Sequence, residues 1–229
     1  MVPDWNKLPE NMQTKTIAPY YEYLNSKKVS LILKRIFDFI FALLLLIILS
    51  PIFLILSIAI KIDSPGPVFF RQIRVTQYGK NFRIFKFRTM VVDAEKKGTQ
   101  ITAEQDSRIT KVGSFIRKIR LDEIPQLINV LLGTMTFVGT RPEVPKYVEQ
   151  YTEEMLATLL LPAGVTSEAS VHFKDEAKII GNSDNIEKTY IEEVLPRKME
   201  YNIQYLKKFN IWNDLRIIFF TVFNLLKKD

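Results

Sequence analysis

Two adjacent carboxylates, Asp122 and Glu123, lie one residue after a run rich in cations, Arg117-Lys118-Ile119-Arg120. A helix is predicted to begin here, so the nearby cations and the helix N-terminus would both stabilise an ionised carboxylate. An ionised Asp is a competent nucleophile at neutral pH. Neighbours on a helix point about 100° apart, so the two carboxylates should have different partners and roles. An N-cap Asp with a first-turn Glu is the competing, purely structural interpretation.

A basic stretch lies upstream. Residues 64–92 contain no acidic residue and six cations: Arg71, Arg74, Lys80, Arg83, Lys86 and Arg88. On a strand, Lys86 and Arg88 would share a face at a spacing of roughly 6 to 7 Å, which suits gripping a diphosphate from one side. A solvated basic strand, or contact with anionic lipid headgroups, would use the same pattern.

A Pro-stiffened loop at residues 139–145 carries Arg141 and Glu143. The Arg could cover a phosphate and the Glu could bind the phosphate or a metal, whereas an ordinary turn with a surface ion pair is the alternative. Residues 162–166 are predicted to form a second loop of this kind. The single histidine, His172, is interpreted as structural.

The amino-acid composition limits the metal sites and the partners that the protein could have. The chain has no Cys, which excludes a disulfide framework and a thiolate metal site. With one His, any metal would be held by carboxylate oxygens, which suit Mg²⁺ better than Zn²⁺. The formal charge of +7 suits nucleic acid, anionic lipid or phosphate-bearing substrates equally well.

Three elements would position these residues. Residues 68–75 and 81–90 are predicted to form a β-hairpin around residues 77–80. Apolar residues then recur at helical spacing and stop at Gly133, which predicts a short amphipathic helix carrying the carboxylate pair. Near the C-terminus, an apolar stripe runs from Ile211 to Leu226, with Trp212 at its start and Lys227-Lys228 after it. This stripe fits an interfacial helix and a core helix equally well.

An apolar segment, residues 39–60, has about 22 residues without a charge, enough to cross a hydrocarbon core of roughly 30 Å. Ser50-Pro51 at its centre predicts a bend, because Pro removes a backbone donor. Basic residues on both flanks give no clear orientation, so a kinked span and a re-entrant helix-break-helix both stay open. We expect the Ser50 hydroxyl to bond a carbonyl freed by Pro51.

The domain organisation follows from these elements. Residues 1–29 are predicted to form a tail or an amphipathic lead-in, residues 30–62 the membrane anchor, and residues 63–229 one catalytic domain with a C-terminal interfacial helix. The expected fold class is α/β, mixed and helix-rich.

Several motifs occur in one order along the chain: Lys34-Arg35-Ile36-Phe37-Asp38, Ser50-Pro51, Asp63-Ser64-Pro65-Gly66-Pro67-Val68-Phe69-Phe70-Arg71-Gln72, Lys86-Phe87-Arg88-Thr89-Met90, Leu121-Asp122-Glu123-Ile124-Pro125-Gln126 and Arg141-Pro142-Glu143. In these motifs the chain resembles the monotopic phosphoglycosyl transferases, bacterial sugar transferases that act on polyprenyl phosphate. The resemblance runs from about residue 34 to the C-terminus, and its length suggests the minimal catalytic form.

The resemblance implies a re-entrant anchor bent at Ser50-Pro51 and a catalytic Asp122-Glu123 dyad that also binds Mg²⁺. It implies a ping-pong reaction in which the Asp takes a phosphosugar from a UDP-sugar, releases UMP and passes the phosphosugar to polyprenyl phosphate. The substrate contacts that we expect are Lys86, Arg88, Arg117, Arg141 and Glu143. The expected location is the bacterial inner membrane, with membrane lipid as a partner, the catalytic domain on the cytoplasmic face and a role at the start of glycoconjugate assembly. A homodimer is left open.

Two departures from the family pattern put the sugar in doubt, namely Thr140 before Arg141 and the sequence of residues 162–168. A membrane scaffold that binds anionic lipid without catalysis is the main alternative function, and UMP release would discriminate the two. A nucleic-acid binder would instead show affinity falling steeply with salt and no dependence on Mg²⁺. Neither alternative accounts for the ordered motifs, so we expect no nucleic-acid partner.

Overall fold

The computed structural model describes residues 3–94, 106–173, 179–180 and 185–227. Over these residues the fold is mixed and helix-rich, with two small two-stranded sheets, which confirms the expected α/β class. Lys228 of the predicted C-terminal stripe lies outside the described residues.

The N-terminal segment, predicted as a tail or an amphipathic lead-in, packs onto the rest of the fold. It contains 3₁₀ turns at Trp5–Lys7 and Glu10–Met12 and helix α1 at Ala18–Ser26. Ile17 and Leu24 are completely buried in the main core, and the Tyr23 hydroxyl donates to the Phe209 carbonyl at 3.1 Å. Apolar residues spaced along short helical turns bury this segment.

Helices α2 (Lys28–Ile48) and α3 (Ser50–Asp63) meet at an angle of 61°. Within the described ranges, no single helix has the length and hydropathy to cross a membrane; these two reach both criteria only together, as a bent pair. The Ser50 hydroxyl donates to the Ile47 carbonyl at 2.8 Å, which confirms the predicted bond. Most of the outward apolar side chains of both helices are exposed.

Both ends of this pair are attached to the rest of the fold. Near the start of α2, Lys34 forms a buried ion pair with Asp214 at 2.6 Å, and Asp38 accepts a hydrogen bond from Thr136 at 2.5 Å. At the end of α3, the Asp63 carboxylate accepts from the Val112 backbone N–H at 2.9 Å. These polar contacts fix the pair to the domain, because a buried charge or carboxylate is stable only with its partner in place.

The predicted hairpin is confirmed. Strands β1 (Phe69–Val75) and β2 (Asn81–Phe87) pair antiparallel from Phe69↔Phe87 to Val75↔Asn81. The second strand is shorter than predicted. The connecting turn contains Tyr78 and Gly79 at φ 59° and 71°, in the left-handed region. Phe87, at the end of β2, packs with Leu56, Ile60 and Ile116 in a small second core beneath α3.

The segment that carries the carboxylates follows the hairpin. Helix α4 (Lys111–Lys118) leads into a 3₁₀ turn at Leu121–Glu123 and then into α5 (Gln126–Leu132). Gly133 ends α5 in the left-handed conformation at φ 80°, as its position predicted. Arg35 of α2 donates to the Val130 carbonyl at 2.6 Å and so caps the last turn of α5.

A parallel pair of strands, β3 (Met135–Val138) and β4 (Ala163–Thr166), follows. The prediction of a loop at residues 162–166 is therefore wrong for most of that segment. The two strands approach very closely, because a Cβ on Gly164 would lie 2.3 Å from the Gly139 backbone. A short apolar stretch with an internal Gly carries little strand signal, and only the pairing with β3 defines it.

The remaining helices cover the sheets. They are α6 (Pro145–Val148), α7 (Glu153–Leu156), a 3₁₀ turn at Ala157–Leu160, α8 (Glu168–His172), α9 (Ile186–Thr189), a π-helical turn at Tyr190–Val194, α10 (Leu195–Lys207) and α11 (Ile211–Leu226). Helix α11 buries Ile217 but exposes Trp212, Phe219 and Phe223. An exposed apolar face favours the interfacial interpretation of this helix over a core helix.

Candidate active site

The carboxylate pair lies in the 3₁₀ turn at Leu121–Glu123, before α5 begins at Gln126. The predicted helix therefore does not itself carry the pair. Arg120 enters this turn in the left-handed conformation at φ 58°, which separates the turn from α4. Neither carboxylate caps the helix, because no side chain makes a cap hydrogen bond at the start of the turn or at the start of α5. The purely structural role of an N-cap with a first-turn acid therefore does not explain the pair.

Glu123 is held by two cations. Lys86 Nζ lies 3.1 Å from Glu123 Oε1, and Arg141 contacts both oxygens, with Nη1 at 3.1 Å from Oε2 and Nη2 close to Oε1. Burial opposes ionisation of Glu123, but Arg141 and Lys86 outweigh it and hold the pKa of this carboxyl well below its usual range. In turn, Glu123 raises the pKa of Arg141. Glu123 is therefore an ionised anchor for two cations.

Asp122 has a different environment. Among the described residues, none donates a hydrogen bond to its carboxylate. Burial raises the pKa of Asp122, the charge of Glu123 raises it further, and the cations Lys86, Arg117 and Arg141 oppose the shift without cancelling it. The expectation that nearby cations favour ionisation of Asp122 is therefore wrong in its net direction, because desolvation outweighs them. The two neighbours do have different partners, as predicted.

Arg88 and Lys86 have separate partners. Arg88 follows β2, is 5% exposed, and its guanidinium donates to the Ser64 and Pro65 carbonyls at 2.7 and 2.6 Å. A Cβ on Gly66 would lie 2.0 Å from Arg88 Nη1, so this turn needs a glycine where the guanidinium passes. The joint grip of Lys86 and Arg88 on a diphosphate stays a prediction, as does substrate contact by Arg88.

The other expected substrate contacts, Arg117, Arg141 and Glu143, differ in their distance from the dyad. Arg117, at the end of α4, acts on Asp122 through its charge. Arg141 and Glu143 lie after β3, but only Arg141 reaches the dyad. Glu143 is buried and accepts hydrogen bonds from Tyr190 and Lys198, so its expected contact with a phosphate or a metal also stays a prediction. His172 stacks on Tyr201 at a ring distance of 5.9 Å.

Three further residues lie near the site: Arg74, which the sequence singled out only as part of the basic stretch, and Tyr190 and Lys198, which it did not single out. Arg74 lies 3.9 Å from Glu143 and donates to the Pro142 carbonyl at 3.1 Å. Tyr190 and Lys198 are separated from Glu143 by 47 and 55 residues. Tyr190 begins a π-helical turn, a conformation that often marks functional sites, but its sequence has no distinctive signature.

The carboxylates at the site suit a Mg²⁺ that is held jointly with substrate phosphates better than a Mg²⁺ held by protein ligands alone. No group of three or more His, Cys, Asp or Glu side chains suited to a metal occurs in the parts of the chain that the structure describes. Both oxygens of Glu123 already face cations, whereas the Asp122 carboxylate is available. Mg²⁺ in proteins is often held by one or two carboxylates together with substrate phosphates. Asp122 fits that arrangement, and Glu123 fits it less well than expected.

The chain is similar to known bacterial sugar transferases. A family model described as bacterial sugar transferase matches residues 29–228. The chain is 37% identical over 218 residues to the UDP-glucose:undecaprenyl-phosphate glucose-1-phosphate transferase of Escherichia coli (strain K12), covering 93% of this chain and 44% of the relative. It is 36% identical over 197 residues to the UDP-N-acetylgalactosamine-undecaprenyl-phosphate N-acetylgalactosaminephosphotransferase of Aeromonas hydrophila, covering 85% and 44%.

A third relative is closer to this chain in length. An uncharacterised sugar transferase of Bacillus subtilis (strain 168) is 35% identical over 199 residues, covering 87% of this chain and 90% of the relative. The chain thus spans less than half the length of the first two relatives and most of the third. The family match covers nearly all of the α2–α3 pair together with the hairpin and the carboxylate turn, and it confirms the resemblance seen in the ordered motifs. The chain therefore belongs to the bacterial sugar transferase family.

Proposed function

We propose that this protein transfers a sugar phosphate from a UDP-sugar to polyprenyl phosphate, and that Asp122 is the nucleophile. The observation that carries the proposal is the difference between the two carboxylates. Glu123 is saturated by Arg141 and Lys86, while Asp122 is half-buried beside them. An Asp that burial makes more basic, next to two fixed cations, is suited to attack a phosphate. The names of two relatives support the substrate classes.

The reaction would proceed in two displacements at one phosphorus atom. First, an Asp122 oxygen forms a bond to the β-phosphorus of the UDP-sugar, and the bond from that phosphorus to the bridging oxygen breaks. The bridging oxygen leaves with UMP. Then an oxygen of polyprenyl phosphate attacks the same phosphorus, the bond to Asp122 breaks, and polyprenyl-diphospho-sugar is formed. Splitting the transfer lets a soluble donor and a lipid acceptor use one site in turn.

The other residues would bind and orient the phosphates. Lys86 and Arg141, fixed by Glu123, present positive charge beside Asp122, and Arg117 adds to it from α4. Such preorganised charge stabilises the growing negative charge of the transition state. Asp122 and the substrate phosphates would hold Mg²⁺. When bound, the ion neutralises the diphosphate so that an anion can approach.

We also propose that α2 and α3 form a re-entrant membrane anchor with both ends on the cytoplasmic face of the bacterial inner membrane. Three features support this: the 61° bend, the exposed apolar side chains of both helices, and the attachment of both ends to one domain. A domain bound to both ends of a helix pair lies on one side of the membrane. The exposed face of α11 would lie in the same interface. The product would start glycoconjugate assembly.

The test is a screen of UDP-sugars with polyprenyl phosphate and Mg²⁺, with released UMP as the readout. Wild-type protein should release UMP with at least one donor, and Asp122→Asn should release none. If no donor yields UMP from folded, membrane-reconstituted protein, while the protein still binds vesicles of anionic lipid, the scaffold function replaces this proposal.

A further inference from the structure

A second buried charge cluster lies beside the dyad. Glu143 Oε1 accepts hydrogen bonds from the Tyr190 hydroxyl at 2.5 Å and from Lys198 Nζ at 3.1 Å. Lys198 Nζ also donates to the Tyr190 hydroxyl at 2.9 Å, so the three groups form a closed triangle. The side chains of Glu143 and Lys198 are 6% and 11% exposed. Buried charges of this kind depend strongly on their partners.

The triangle is joined to the dyad through a short backbone segment. Arg141 and Glu143 are two residues apart, and Arg141 holds Glu123. The backbone of this segment is fixed to β1, because the Val75 N–H donates to the Glu143 carbonyl at 2.9 Å. Arg74 of β1 donates to the Pro142 carbonyl. Because this backbone is fixed, a change at Glu143 would reach Arg141 through the charges of the two side chains and not through a movement of the segment.

Two carboxylates compete for the same cations. The charge of Arg141 interacts with both Glu123 and Glu143, and the charge of Arg74 does so as well. The hydrogen bonds from Tyr190 and Lys198 occupy Glu143, which leaves Arg141 to pair with Glu123. Without Lys198, the buried Glu143 would keep the Tyr190 hydroxyl and Arg74 Nη1 at 3.9 Å but would lose its nearest cation. It would then gain from drawing Arg141 toward itself, because a buried charge with too little compensation is costly.

We propose that Lys198 and Tyr190 are positioning residues: Lys198 balances the charge of Glu143, Tyr190 donates a hydrogen bond to it, and together they keep Arg141 on Glu123 beside Asp122. This inference deepens the proposed function and rests on it. Neither residue touches the dyad carboxylates in the described structure, so their effect on turnover would pass through the charges of Glu143 and Arg141.

The first test replaces Lys198 by Met, which keeps length and removes charge. At a temperature where circular dichroism shows a folded protein, kcat for UMP release should fall on the order of 10- to 100-fold, since small misplacements of catalytic groups have effects of this size. Lys188→Met is the matched control: Lys188 is an exposed lysine of α9 with an ion pair to Glu192 at 4.0 Å, and its loss should leave kcat unchanged.

A double variant separates positioning from folding. In Lys198→Met with Glu143→Gln, the competing negative charge is gone, so Arg141 should again pair with Glu123 in an experimental structure of the double variant. Tyr190→Phe, which removes one hydroxyl and should fold, is expected to lower kcat on the order of 3- to 10-fold. A purely structural role would lower the melting temperature and leave kcat per folded molecule unchanged, which would overturn the inference.

An experimental structure of Lys198→Met gives a readout that needs no activity. Arg141 should leave Glu123 and turn toward Glu143. If Arg141 stays paired with Glu123, the inference is wrong whatever the kinetics. If Arg141 moves but the wild type releases no UMP with any UDP-sugar, the charge competition stands and the proposed function fails.

Discussion

The Ser50 hydroxyl donates to the Ile47 carbonyl, the acceptor four residues before Pro51 that the proline ring leaves without a backbone N–H. This one bond satisfies the group exposed by the break between α2 and α3. An unsatisfied backbone group costs several kcal/mol in hydrocarbon, so the bond would stabilise the bend inside a membrane.

We therefore predict that replacing both Ser50 and Pro51 by Leu straightens the pair and moves part of the population to a spanning topology. Single cysteines at Lys7 and Lys80, both exposed, can be labelled with a membrane-impermeant reagent from either side. In the wild type both should label from the cytoplasmic side only. In the double variant, Lys7Cys should become partly accessible from the other side. Opposite-side labelling of the two positions in the wild type would contradict the re-entrant proposal.

The covalent intermediate can be observed directly. Incubation with UDP-sugar and Mg²⁺ but without acceptor should add one phosphosugar to the protein, seen by intact mass. Asp122→Asn should lose the adduct and turnover, because an amide is a poor nucleophile. Glu123→Gln should impair turnover strongly, since it releases Arg141 and Lys86 from their shared anchor. A labelled peptide that lacks Asp122 would contradict the mechanism.

The two carboxylates should have opposite effects on stability. The pKa of Asp122 is raised in the folded protein, so its contribution is fully present below its ordinary value of 3.8 and is lost as the pH rises through the folded pKa. Asp122→Asn, neutral throughout, should therefore be more stable than the wild type at pH 7. This advantage should shrink as the pH falls toward 3.8.

Glu123 provides the matched comparison. Its folded pKa is lowered, so its contribution is present above its ordinary value of 4.5 and is lost as the pH falls through the folded pKa. Glu123→Gln should cost on the order of 3 kcal/mol at pH 7, because two cations lose their partner. Thermal unfolding of both variants from pH 7 down to pH 4 checks the signs. If both substitutions destabilise the protein at pH 7, burial does not dominate the pKa of Asp122.

Arg88→Ala should reduce turnover on the order of 30- to 1000-fold if the guanidinium binds a desolvated phosphate. Its bonds to the Ser64 and Pro65 carbonyls give it a structural role as well, so the melting temperature should also fall. The control is Arg83→Ala, an exposed cation of β2. If activity per folded Arg88→Ala molecule equals that of the wild type, Arg88 serves only the turn.

The N-terminal segment should contribute to stability although it precedes the family match. Leu24→Ala removes a completely buried side chain and should destabilise the protein by about 2 to 5 kcal/mol. Glu22→Ala, an exposed neighbour on α1, should have little effect. Thermal unfolding in detergent or lipid nanodiscs is the measurement. Equal melting temperatures for the two variants would show that α1 is not part of the cooperative fold.

The sequence alone determined the features that depend on neighbouring residues. Alternating and β-branched residues predicted the hairpin, helical spacing ending at Gly133 predicted α5, and Ser50-Pro51 predicted both the break and the bond to a freed carbonyl. The local charge pattern singled out the Asp122-Glu123 pair but left a capping role open, and only the resemblance implied that the pair is catalytic. Such features are set within a few residues, where backbone geometry and propensity dominate.

Only the tertiary structure decided which residues became partners. Glu123 meets Lys86 and Arg141 across 37 and 18 residues, and Glu143 meets Tyr190 and Lys198 across still longer separations. The strand at Ala163–Thr166 exists through its pairing with β3. The direction of the Asp122 pKa shift also depended on the fold, because the sequence shows which charges are near but not how much water is excluded, and here desolvation outweighs the cations.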